Sequence, residues 1–170
     1  MARLFWMCVV IALLFSSCGT NGQQPLAMVE SVVAKYPEIP FGQIVYHDGA
    51  RSGQRDFMTD RLRSFLYDEG RMRDIPEWSQ VISYAVVPAD RLGGAELHVF
   101  YMKSRADARA MQMILQRRAE LLKKRSIYLF APGAYENYYA SARVEVKGSF
   151  VFLLATGNND AVWKHLGAMI

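Results

Sequence analysis

The sequence predicts an α+β domain built on a four-stranded antiparallel sheet. Three observations carry that expectation. Ala142 to Lys147 alternates apolar and charged residues with a period of two, the pattern of a half-buried strand. Glu96 to Lys103 divides in the same way, with Leu97, Val99 and Tyr101 on one face and Glu96, His98 and Phe100 on the other. Between them, Ser104 and Asp107 form an S-x-x-D capping box that opens a long helical pattern. From Val81 onward the predicted order is strand, strand, helix, strand, strand, helix (ββαββα). The helices are expected to pack on one face of the sheet, after further helices at the N-terminal end.

The elements follow in turn. Leu26, Val29, Val32 and Val33 recur at helical spacing up to Lys35, and Pro37 and Pro40 then break the chain. Ile44-Val45-Tyr46 reads as a short strand, and His47 to Gly53 as an exposed loop. Phe57 or Met58, Leu62, Phe65 and Leu66 make a second helical face ending near Tyr67. Val81 to Val87 is a strand closed by Pro88, and Gly93-Gly94 supplies a turn before the next. In the helix after Ser104, Ala110, Met113, Ile114, Arg117 and Leu121 are expected to form one stripe. A tight turn at Lys147-Gly148-Ser149 leads into Phe150 to Ala155, which is apolar on both faces and so reads as a central strand. Asn158 or Asn159 caps a last helix that should bury Val162, Trp163, Leu166 and Ile170.

The N-terminal end is of a different kind. Arg3 precedes an apolar run from Leu4 to Phe15, then Ser16, Ser17 and Cys18, the layout of a secretory signal. At ~1.5 Å per helical residue the run reaches ~18 Å, short of a ~30 Å hydrocarbon core. Leu14-Phe15-Ser16-Ser17-Cys18 resembles a bacterial lipobox, with Phe15 where the motif usually has Leu. The resemblance implies cleavage before Cys18 and acyl chains on its sulfur, with residues 1–17 removed. Each buried methylene is worth ~0.8 kcal/mol, and two or more chains anchor stably. The alternatives are plain secretion with an incidental cysteine, or a short retained helix. Residues 18–25 would be the lipidated cysteine and a polar tether of up to ~24 Å. Residues 26–170 then suit a single domain with one folded body. With Cys8 in the leader and Cys18 lipidated, that domain has no disulfide and no thiolate.

Several stretches together resemble an uncharacterised lipoprotein family, a domain of unknown function from clostridia and related Firmicutes. They are Ala95 to Lys103, the helix with Arg117-Arg118, Pro132 with Tyr135, and the Val144 to Val151 hairpin. The resemblance covers roughly residues 78–170, and more weakly the helix around Leu62. The family often carries acids after the proline and after the last strand, where this chain has Gly133-Ala134 and Gly157-Asn158-Asn159. The resemblance implies an anchored, exported α+β domain and assigns no catalytic residue.

Candidate chemistry is sparse. His47 and Asp48, near Ser52 and Asp56, could serve an exported hydrolase, but no G-x-S-x-G elbow accompanies them. His47, His98 and His165 show no metal-ligand spacing, so neither metal nor cofactor is expected. An anionic partner could meet the basic helix residues Arg105, Arg109, Arg117, Arg118, Lys123, Lys124 and Arg125, although these equally suit a solvated face. Tyr128, Phe130, Tyr135, Tyr138 and Tyr139 could stack on a glycan or peptide, or close the edge of the core. The formal charge of +4 is too small and dispersed for a nucleic-acid surface. The expectation is a non-enzymatic interaction domain on the outer face of a bacterial membrane. Its expected partners are an envelope protein or wall polymer, and a structural subunit of an envelope complex is a further reading.

Overall fold

The computed structural model describes residues 24–48, 58–89, 94–124, 133 and 135–170. Helix α1 (Gln24–Lys35) leads to the short strand β1 (Val45–His47) and helix α2 (Asp60–Tyr67), whose first turn is capped by Thr59 accepting from the Leu62 amide. A 3₁₀ turn, Pro76–Gln80, feeds strands β2 (Val81–Val87) and β3 (Glu96–Met102). Helix α3 (Arg105–Leu122) starts where expected, with Ser104 Oγ accepting from the Asp107 amide at 3.1 Å. A π-helical turn, Tyr135–Tyr139, precedes β4 (Arg143–Lys147), β5 (Phe150–Ala155) and helix α4 (Asn159–Gly167).

The sheet runs β1-β2-β3-β5-β4 and every neighbouring pair is antiparallel. The expectation of four strands is therefore corrected to five, because β1 pairs with β2 from Val45↔Val86 to His47↔Tyr84. The ββαββα order is met only in part: α1, β1 and α2 precede it, and turns interrupt it. β4 and β5 form a hairpin whose two-residue turn carries Gly148 at φ 62°, a conformation suited to glycine.

The helices do not share one face. Tyr84, Val86, Phe100, Met102, Val151 and Leu153 pack under α2 and α3, while Ala85, Val87, Val99, Phe152 and Leu154 pack under α1 and α4. The sheet is the middle of three layers, and its central strands are apolar on both sides for that reason. The α3 stripe that meets the core is Ala108, Met111, Ile114, Leu115, Ala119 and Leu122; of the expected stripe Ile114 is buried there, whereas Met113 and Arg117 are exposed. Phe65 and Ile170 are likewise exposed rather than buried. His47 closes β1 and Asp48 is buried, so these two do not lie in an exposed loop.

Candidate functional site: a buried charge chain beneath a polar cleft

Glu96 and His98 have no accessible surface. Strand alternation puts both on the face covered by α3, and Arg118 reaches down from that helix. Its Nε and Nη2 donate to Glu96 Oε1 and Oε2 at 2.9 and 2.8 Å, a bidentate charge-assisted pair. The Ala89 amide adds a third donor at 3.3 Å. On the other side, His98 Nε2 lies 2.9 Å from Glu96 Oε1, close but off the axis of a good hydrogen bond. His98 Nδ1 is 2.9 Å from the Tyr67 hydroxyl at the end of α2. The chain Arg118–Glu96–His98–Tyr67 thus ties α3, β3 and α2 together.

The electrostatics fix its protonation. Burial pushes the Glu96 carboxyl up, but Arg118 and then His98 draw it down further, and the net position is well below the usual range. Burial lowers His98, with Arg118 adding to that and Glu96 opposing it, so the imidazole is neutral at pH 7. Burial, reinforced by the Glu96 charge, holds the Tyr67 phenol well above its usual value. With the ring neutral, Nδ1 accepts from the Tyr67 hydroxyl and Nε2–H is turned toward the carboxylate. It is a locked chain, with its donors turned inward.

Above it lies a cleft of about 310 Å³ between α3 and residues 68–77. Tyr67, Ile75, Met113 and Ile114 supply apolar lining, and Asp74, Glu77 and Arg117 supply charge. Among the described residues, the side chains of these three charged groups make no hydrogen bond or ion pair. The near wall is a strap of unusual backbone. Glu69, Gly70 and Met72 have φ of 53°, 76° and 58°, a region costing roughly 1–2 kcal/mol for each residue other than glycine. Ser64 and Asp68 brace it. Ser64 Oγ accepts from the Met72 amide at 2.7 Å, and Asp68 accepts from Arg73 N and Nε at 2.7 and 2.8 Å. The Arg73 hydrogen bond holds the Asp68 carboxyl below its usual value.

The residues singled out from sequence scatter. Cys18, Arg125, Tyr128 and Phe130 lie outside the described residues, and of Tyr135 only its place in the π-helical turn is described. Tyr139 is fully buried and donates to the Gly94 carbonyl at 2.7 Å, so it belongs to the core edge, and half-buried Tyr138 packs against both cores. The basic face divides: Arg105, Arg109, Arg117 and Lys124 are exposed, Lys123 pairs with Glu120 at 3.2 Å, and Arg118 turns inward to Glu96. The inward turn had a signal, because position 118 stands seven after Met111 and four before Leu122, on the core stripe.

His47 and Asp48 line neither that cleft nor the recesses beside Asp60 and beside β4. Ser31 Oγ is 3.1 Å from His165 Nε2, but His165 Nδ1 faces the Lys35 ammonium at 3.2 Å. An ammonium can only donate, so Nε2 of the neutral ring carries the proton, and Ser31 itself donates to the Met28 carbonyl at 2.8 Å. That ring cannot serve Ser31 as a base. Among the described residues no cluster of three or more His, Cys, Asp or Glu could hold a metal, and no helix is long and apolar enough to cross a membrane.

Comparison with family models, with characterised proteins and with solved structures yields no match to this chain.

Proposed function

We propose that the chain is a lipid-anchored extracytoplasmic lipoprotein domain that acts as a binding module at a bacterial cell surface, related to the clostridial lipoprotein family it resembles. The observation that carries the binding reading is the cleft over Tyr67. Its lining combines Tyr67, Ile75 and Ile114 with Asp74, Glu77 and Arg117, and these three charged side chains make no ion pair among the described residues. Such a lining suits a ligand bearing both an amine and a carboxylate, such as a peptide segment of an envelope protein or a wall polymer. The braced strap and the buried chain hold the walls in place beforehand, which reduces the ordering cost of binding. The anchor rests on the Leu4 to Cys18 pattern.

Two measurements test the two halves separately. Palmitate should label the wild-type chain in a bacterial host and leave Cys18→Ser unlabelled; equal labelling refutes the anchor. Combined replacement of Asp74, Glu77 and Arg117 by Ala should reduce retention on isolated envelopes by roughly tenfold, at ~0.2–1 kcal/mol per exposed ionic contact. Unchanged retention removes the cleft from the function.

A further inference from the structure

We infer that the outer edge of β4 is a self-association surface, on which a second copy of this chain extends the sheet. The hydrogen-bond phase of the hairpin exposes that edge. Phe150 pairs with Lys147, Phe152 with Glu145 and Leu154 with Arg143. On β5, Ser149 accepts from the Met102 amide at 2.9 Å, which sets the odd-numbered residues toward β3 and the even-numbered ones toward β4. Their partners Arg143, Glu145 and Lys147 therefore bond inward. Val144 and Val146 direct their amides and carbonyls away from β5, and among the described residues β4 is the last strand of the sheet. The opposite edge, β1, is only three residues long.

A groove accompanies the open edge. Residues of α3 (Gln116, Ala119, Glu120) and of the start of β4 (Ala142, Val144) enclose about 390 Å³ beside it. Val144 and Val146 turn their side chains to the face that α3 covers. An added strand would place alternate side chains on that same face, in the groove.

The charge pattern selects the occupant. In an antiparallel pairing centred on Val144, each Arg143, which within its own chain already meets Glu145 at 3.2 Å and Asp160 at 2.8 Å, stands opposite the partner's Glu145, and the pair occurs twice by symmetry. Each Val144 exchanges amide and carbonyl with the partner's Val144. A pairing centred on Glu145 would instead oppose Glu145 to itself and Arg143 to the partner's Lys147, which is repulsive. The twofold axis runs along the sheet normal, so α1 of both copies lies on the same side of the joined sheet. Two chains tethered through their N-terminal ends to one surface could therefore pair without either turning over. The pairing does not depend on the cleft or on the anchor.

Sedimentation of the full chain in detergent at tens of micromolar tests it. The expected result is a concentration-dependent dimer. Arg143→Glu and Glu145→Arg should each weaken it by about tenfold, and the double exchange should restore it, since two cross-strand pairs at ~0.2–1 kcal/mol each change sign. Val144→Pro removes an amide that the fold itself does not use, and should give a monomer with native circular dichroism. A chain that stays monomeric throughout overturns the inference. So does a dimer that survives Val144→Pro, or one indifferent to both charge changes.

Discussion

At the scale of single residues, the Glu96–Arg118 pair is the most exposed to test. Burying a carboxylate is costly, and the three donors it accepts offset that cost only while all are present. Glu96→Gln leaves Arg118 without its counter-charge in a largely buried site, and should destabilise the fold by ~3–5 kcal/mol in urea unfolding. The combined change Glu96→Leu and Arg118→Met should recover much of that loss, because it removes both charges and keeps volume. The pair also fixes the acid limb of the stability curve. His98 is depressed from its usual 6.5, so its contribution is complete above that value and is lost as the pH falls below it. His165, lowered by partial burial and then by Lys35, acts in the same direction. Glu96 adds a further loss as the pH falls from 4.5 toward its depressed folded value. Tyr67 acts in the opposite sense, so that stability declines as the pH rises past 10. Urea midpoints should therefore drop in two acid stages, below 6.5 and below 4.5, and a flat profile between pH 7 and 4 contradicts the assignment.

At the scale of elements, the legible parts were those whose pattern is local. The Ser104 cap, the β4 alternation and the glycine turn at 148 are each written within a few residues, and each was found in place. The sidedness of the sheet is readable in Phe150 to Ala155, apolar on both faces, but it competes with the general tendency of antiparallel sheets to leave one face to water, which points to helices on one side. The charge chain was harder to read, because pairing Glu96 with Arg118 needs the tertiary crossing of β3 and α3. The cleft was not legible at all, because its strap depends on left-handed Glu69 and Met72, residue types that do not advertise that conformation. A similar case is Gly157. It sits at φ 74°, and a Cβ there would collide with the Asn137 carbonyl oxygen of the π-helical turn. Of the two expected cap residues, Asn158 takes the N-cap position without a side-chain bond, and Asn159 accepts from the Thr156 amide at 2.9 Å and donates to the Ser141 carbonyl at 2.7 Å, locking the same corner. Gly157→Ala should therefore lower stability by roughly 1–3 kcal/mol through strain and displacement of the turn. A thermal midpoint equal to wild type would show that the corner yields freely.

At the scale of the whole molecule, the two cores are joined rather than stacked. Successive residues of β2, β3 and β5 feed opposite sides, so Tyr84 and Ala85, Phe100 and Val99, or Leu153 and Leu154 cannot be released on one face while the strand persists on the other. Among the described residues no cysteine supplies a cross-link that could hold either layer separately. Cooperativity then follows from the sheet, and the layers should unfold together. The tryptophans report the sides independently. Trp78 packs on the α3 side, 5.6 Å from the Phe100 ring centroid, and Trp163 lies on the α4 side, 5.3 Å from that of Phe152. Trp78→Phe and Trp163→Phe each leave one reporter in the folded body, with Trp6 common to both. Within each variant, the fluorescence and far-ultraviolet dichroism transitions in denaturant should superimpose. A fluorescence transition that precedes loss of the sheet in either variant would mean that one helical layer detaches alone, and the molecule would then be a sheet with a loosely held cover rather than a three-layer unit.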